Sequence, residues 1–250
     1  MNDISAPPPS STPLPSATVM LLRERDGLEV LMVERSSASD FASAYVFPGG
    51  KVDADDHGEH WLDLVEGADQ LSAVERALRI AALREVYEET GLLPEACLDG
   101  LQALPGSPGF IDIVRTSAGR LPLHHLTPFA RWITPSMRPR RFDTWFFLCP
   151  LDAGEAACDG HETVSLGWVS PQRALEEEEA GQRLLMFPTK SQLRRLSQCD
   201  SIAAAIAQAQ NQPIVPIEPA WQVRDGSRYV TIPAGCGYDV CEEKTQVRHE

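Results

Sequence analysis

Three carboxylates fall within five residues in the run Arg84-Glu85-Val86-Tyr87-Glu88-Glu89-Thr90-Gly91-Leu92. If the run is helical, Glu88 and Glu89 project about 60° and 40° to either side of Glu85, a wedge of negative charge about 100° wide. Like charges so placed repel one another by about 1 kcal/mol per pair or more, which favours a cation among them. Donors that are all oxygen select a hard ion such as Mg²⁺ or Mn²⁺ over zinc. Upstream stands the glycine turn Phe47-Pro48-Gly49-Gly50. By contrast, Glu176-Glu177-Glu178-Glu179 has no glycine turn before it and no Arg or Gly bracketing it, and reads as a solvated helix face.

The elements that must hold these groups can be read from the same sequence. Ser72 and Glu75 form a capping box at the start of a long helix, with Ala73, Ala77, Ile80, Ala81 and Val86 among its buried positions and Gly91 as its C-cap. Thr18–Leu22 and Val30–Val33 flank the turn signal Arg25-Asp26-Gly27 and predict a hairpin whose second strand feeds the glycine turn. Residues 94–126 are rich in Gly, Pro and charge and read mostly as loop and short strand. Strands are expected near 129–133, 142–148 and 167–169, and helices over 171–179 and 189–209. The expected organisation is a disordered Pro/Ser-rich tail over 1–16, one catalytic domain over 17–210, and an extended C-terminal arm over 211–250 with short strands around 220–232. Alternating strands and helices predict an α/β fold, an α/β/α sandwich around a mixed sheet. Trp132, Trp145 and Phe147 at strand spacing read as core, and His57, His60, His124, His125 and His161 as surface residues.

Composition narrows the partners. The chain has 250 residues, a net charge of −14 and 43% hydrophobic residues, which suits one substantial core and disfavours bulk binding of nucleic acid. No apolar stretch is long enough to span a membrane, and residues 1–15 lack the basic and apolar regions of a signal peptide, so a cytoplasmic location is expected. The six cysteines show no zinc-like spacing and read as reduced. An anionic ligand of so acidic a protein needs a local basic patch, and Arg138-Pro139-Arg140-Arg141 is the densest candidate.

The carboxylate run and the glycine turn together resemble the Nudix box, G-x5-E-x7-R-E-U-x-E-E-x-G-U with U aliphatic. Gly50, Arg84, Glu85, Val86, Glu88, Glu89, Gly91 and Leu92 fill its places. Counted back from Arg84, the box's first Glu falls on Arg76, a mismatch. Gly50 and Arg84 stand 34 positions apart (84 minus 50) instead of 14, so about 20 residues appear inserted, over Asp53 to about Leu71. An insertion there, with Glu34-Arg35-Ser36, Tyr45–Gly50, Arg140–Phe147 and Trp168-Val169-Ser170-Pro171, resembles the branch that contains the peroxisomal coenzyme A diphosphatase. The insertion is expected to lie beside the active site, its removal altering substrate preference more than stability.

The resemblance implies a Nudix-type sandwich and metal-dependent hydrolysis of a diphosphate bond in a nucleoside diphosphate derivative, coenzyme A or acyl-coenzyme A being favoured. Other substrates such as ADP-ribose, NADH or a sugar nucleotide remain open, as does a nucleotide sensor without catalysis. It implies Mg²⁺ or Mn²⁺ held by Glu85, Glu88, Glu89 and the carbonyl of Gly49, with Arg84 orienting a helix carboxylate. Glu162 is the favoured general base. Arg35, Gly50, Lys51, Arg138, Arg140 and Arg141 are the expected substrate contacts, the arginine cluster reading a 3′-phosphate. A homodimer is possible, since the C-terminal arm is long enough to reach a neighbour.

Overall fold

Along the first strand alternate residues face opposite ways. Ala17, Val19 and Leu21 enter one buried cluster, Met20 and Leu22 another. A strand buried on both faces is the middle layer of a sandwich. The computed structural model describes residues 11–36, 43–93, 109–116, 120–151 and 163–245. In chain order the first strands are β1 (Leu14–Glu24), β2 (Leu28–Arg35), β3 (Ala44–Val46), β4 (Gly49–Lys51) and β5 (Val65–Glu66). Helices α1 (Ala73–Thr90) and α2 (Phe110–Thr116) follow, then β6 (Leu121–Pro122), β7 (Thr127–Ile133), β8 (Phe142–Pro150) and β9 (Thr163–Val169). Next come α3 (Pro171–Glu179), β10 (Leu184–Leu185), α4 (Phe187–Leu196) and α5 (Ile202–Asn211). The chain closes with β11 (Pro216–Ile217), β12 (Ala220–Arg224), β13 (Ser227–Thr231) and β14 (Glu242–Lys244).

The main sheet runs β10-β3-β2-β1-β8-β7-β11, with β4 also on β1 and β9 also on β2. It is mixed: β1 is parallel to β8 and antiparallel to β2, β7 antiparallel to β8. Helices α1 and α2 pack with one face, and α4 and α5 with the other. The α/β/α expectation therefore holds. One edge of β1 serves two partners in turn, β4 at Ser16–Thr18 and β2 at Leu22–Glu24. That split seats the glycine turn directly against the central strand.

Helix α1 begins at the expected capping box, in which Ser72 accepts from the Glu75 N–H and Glu75 accepts from the Ser72 N–H. It ends at Gly91, whose φ of 69° is left-handed and whose N–H bonds Tyr87 O at 2.8 Å. Every residue from Ala77 to Leu83 is buried, because the sheet lies on one side of the helix and the segment after the glycine turn on the other. That segment, expected as a loop, is built of short 3-10 turns at 55–57, 59–61 and 68–70. Its Trp61 is 1% exposed, lies 5.6 Å from the Phe110 ring and donates its indole N–H to Asp55 O at 3.0 Å. Trp61 and Val65 belong to the first core cluster, so the segment is part of the core and its loss will affect stability more than expected. Trp61→Ala should cost about 3–5 kcal/mol in urea unfolding. A loss under about 1 kcal/mol would show that the segment merely rests on the domain.

Other departures have local causes. Order begins before residue 17, because Pro15 O accepts from Val52 N at 2.9 Å and Ser16 pairs with both Lys51 and Thr144. The helix expected over 189–209 is two helices, since Ser201 turns out of helical geometry (φ −149°) to cap Ala204 N. Within 94–126, read as loop, lies α2, with Phe110, Ile113 and Val114 buried at helical spacing. The C-terminal arm folds back on its own domain: β11 extends the sheet beside β7, Val230 and Ile232 enter the second cluster, and Tyr238 accepts from the Trp132 indole at 3.0 Å. Among the described residues, no helix is long and apolar enough to cross a membrane.

Candidate active site

The two glycines of the turn are required for different reasons. Gly49 has φ +155°, and a Cβ there would stand 2.4 Å from Ala17 O and 2.6 Å from Thr18 Cα. At Gly50 a Cβ would meet the Glu85 carboxyl carbon at 2.4 Å. Bare backbone thus lets β4 pass between β1 and α1 and brings Glu85 against the turn. Glu89, buried on the same helix, accepts from the Gly49 N–H at 3.1 Å. The glycine turn and the carboxylate helix, 34 positions apart in sequence (84 minus 50), are one site in space.

Arg84 is its hub. Nε and Nη2 donate to the two oxygens of Asp56, both at 3.0 Å, and Nη2 also donates to Lys51 O at 2.9 Å. Nη1 donates to Glu85 and to Glu88, each at 2.9 Å. All five N–H groups of the guanidinium are thereby used. Burial works against the Arg84 charge, but the Asp56 hydrogen bonds and the fields of Glu85, Asp56 and Glu88 outweigh it and raise its pKa. Arg84 was expected to pair with a helix carboxylate. It touches two, each through a single N–H, and reserves its two-pronged grip for Asp56.

Asp56 is the acid at the site that counting back from Arg84 missed. It is 1% exposed and also accepts from Asp53 N at 2.8 Å. Counted forward from Gly50, it stands six positions on, the place of the box's first acid in G-x5-E. The inserted residues therefore follow Asp56 instead of starting at Asp53, and Arg76 does not occupy the acid's place. The signal was in the sequence, measured from the other end of the motif.

The donor set suits a hard divalent cation in kind: three carboxylates on one helix patch, at a turn stripped of side chains. Among the described residues no three acidic, His or Cys side chains already converge as a cage. The reason is local, since Arg84 Nη1 sits between Glu85 and Glu88 while Glu89 is turned to Gly49 N–H. Glu88, 47% exposed and tied by one exposed bond to Arg84, is the carboxylate best able to swing toward an ion.

The expected substrate contacts divide. Lys51 lies beside the glycines, half-exposed, with Asp53 at 3.9 Å as its acidic neighbour. Arg35 ends β2 and pairs in register with Thr163. The 138–141 turn lies at the sheet end that carries Lys51, since Ser16 pairs with both Thr144 and Lys51. Arg140 is exposed there, with its guanidinium 5.2 Å from the Phe142 ring. Arg141 must be removed from the set. It is 6% exposed and donates to Ser11 O, Thr134 O and Glu218, tying the chain start and the C-terminal arm to β7. The residue just before β8 is held inward by these three bonds. Glu162 lies outside the described residues, one position before Thr163. Trp132 and Phe147 are core residues as expected.

A sandwich of this topology with a carboxylate helix locked to a glycine turn defines a class, and sequence comparison gives the same one. The family model described as NUDIX domain matches residues 12–188. This chain belongs to the Nudix family. It is 30% identical over 235 residues to the acyl-coenzyme A diphosphatase NUDT19 of Gallus gallus, covering 70% of this chain and 62% of that one. It is 31% identical over 196 residues to putative nudix hydrolase 7 of Caenorhabditis elegans, covering 73% and 60%. The chain thus spans less than two thirds of the length of these curated relatives. Among solved structures, a NUDIX hydrolase from Alicyclobacillus acidocaldarius is similar with a TM-score of 0.62 and 26% identity, covering 79% of this chain and 96% of that one.

Proposed function

We propose that this protein hydrolyses the diphosphate bond of coenzyme A or an acyl-coenzyme A, with a divalent cation held by Glu85, Glu88, Glu89 and the carbonyl of Gly49. The observation that carries the reading is the Arg84 hub, which gathers Glu85, Glu88 and the glycine turn into one site. The name of the Gallus gallus relative supports the substrate. A bound Mg²⁺ or Mn²⁺ would supply Lewis acidity, neutralising charge that develops on the phosphoryl oxygens.

The chain's own residues do the rest. Arg84 acts through the carboxylates it orients and does not touch substrate. Lys51 and Arg35 contact the diphosphate beside the glycine turn. Glu162 takes the proton of the attacking water as the bond from phosphorus to the bridging oxygen breaks. The products are 3′,5′-ADP and phosphopantetheine, or its acyl form. The 3′-phosphate needs a cation outside the metal site, and Arg138 and Arg140 supply it.

The test is an assay with Mg²⁺ or Mn²⁺ over coenzyme A, an acyl-coenzyme A, NADH and ADP-ribose, with products identified by mass. Coenzyme A substrates should give the two products named. Replacing Arg138 and Arg140 with Ala should lower kcat/KM about ten- to hundredfold on coenzyme A and less on dephospho-coenzyme A. Equal losses on both would remove the arginines from 3′-phosphate recognition. Good turnover of ADP-ribose without coenzyme A hydrolysis would overturn the substrate, and binding without turnover of any of them would leave a sensor.

A further inference from the structure

Two thiols share the turn that joins β13 to β14. The strands pair as far as Thr231 and Glu242, and the Ile232 N–H donates to Cys241 O at 2.8 Å, so residues 233–240 form a closed loop. Gly235 and Gly237 bend it with φ of 75° and 91°, a region that glycine enters at little cost. Cys236 and Cys241 are both free, half-buried and packed at the margin of the second core cluster. Their sulfurs address the backbone of one residue, Tyr238. The Cys241 thiol donates to Tyr238 O at 3.4 Å, while the Cys236 sulfur lies within hydrogen-bonding reach of the Tyr238 backbone and in the field of Cys241. The other described cysteines are placed differently: Cys149 is fully buried, and Cys199 faces Arg195 O at 3.9 Å.

The residue between the thiols is a main attachment of the C-terminal arm. The Tyr238 hydroxyl accepts from the Trp132 indole and donates to Gln192 Oε1, both at 3.0 Å. Its ring stands edge-on to Trp132 at 5.4 Å and lies 5.3 Å from the Arg195 guanidinium. On either side of it, Gly237 O accepts from Gln212 at 3.2 Å and Asp239 accepts from Gln198 at 2.8 Å. The loop is therefore fixed to the domain at three consecutive residues. A covalent link from Cys236 to Cys241 would span those residues and restrict the released arm, without any new contact to the domain.

We propose that Cys236 and Cys241 are a redox-active pair, which a small-molecule disulfide such as oxidised glutathione converts to a reversible disulfide that clasps the C-terminal arm. One thiolate attacks a sulfur of the oxidant and releases one molecule of reduced glutathione. The second thiolate attacks the mixed disulfide and releases another, so the protein gives up two hydrogens and the oxidant becomes two thiols. Burial and the field of Cys241 push the Cys236 thiol up, which assigns it the second attack. The full chain, equilibrated in glutathione buffers of rising oxidised fraction, would be alkylated and cut with trypsin, which leaves these two cysteines and no other in residues 229–244. In the folded wild type that peptide should lose two hydrogens, about 2 Da, as alkylation at both sites falls together, and dithiothreitol should reverse it. The oxidised protein should melt about 4–8 °C above the reduced one. Cys236→Ser and Cys241→Ser should each abolish both changes, and Cys199→Ser neither. Two alkylated thiols in the most oxidising buffer, or glutathione adducts alone, would overturn the pair. A disulfide that leaves the melting temperature unchanged would overturn the clasp.

Discussion

Glu88→Gln should leave a fully folded protein with hydrolytic activity lowered by about two to four orders of magnitude, and no concentration of Mg²⁺ or Mn²⁺ should restore it. Glu88 is 47% exposed and its bond to Arg84 is exposed, so removing its charge costs little in folding. Its cost falls on the reaction. A carboxylate that holds a catalytic cation supplies several kcal/mol of transition-state stabilisation, at about 1.4 kcal/mol per tenfold in rate. The measurements are steady-state turnover over a cation titration and urea unfolding of the same preparation. Near wild-type turnover in a folded Glu88→Gln protein would remove Glu88 from the cation site.

What was legible in the sequence was what depends on near neighbours. The capping box at Ser72 and Glu75, the C-cap at Gly91 and the hairpin about Gly27 are set within a few residues and stand where expected. The contact between Glu89 and Gly49 was legible only through the motif, because nothing local to either residue encodes a pairing 40 positions apart. What failed depended on tertiary context. Arg141 looked like part of a basic surface run, but acceptors far away in sequence, Ser11 O and Glu218, hold it buried while Arg140 stays exposed. The segment after the glycine turn looked like a loop because its polar residues outnumber the anchors Trp61 and Val65, which gain their meaning from α1 and Phe110. Asp56 was missed because the motif was measured from Arg84, across the inserted residues, instead of from Gly50.

That buried aspartate gives a second large effect, of a different kind from the first. Asp56 balances Arg84 through a two-pronged pair and so limits how strongly Arg84 holds Glu85 and Glu88. Asp56→Asn keeps the shape, removes the charge and sets an amide N–H₂ against a guanidinium. Breaking one partner of a buried pair costs about 3–5 kcal/mol. Here the loss should lie near 3 kcal/mol, because Lys51 O, Glu85 and Glu88 still receive Arg84. With its counter-charge gone, Arg84 competes harder for the same carboxylates that a cation needs. The half-saturating Mn²⁺ concentration should rise about ten- to hundredfold, as for other residues that orient metal ligands, with turnover largely recovered at saturating cation. That recovery separates it from Glu88→Gln. Asp56→Glu keeps the charge and should hold the cation requirement near wild type. If Asp56→Asn unfolds at lower urea but keeps its Mn²⁺ dependence, Asp56 anchors the inserted segment and does not tune the carboxylates.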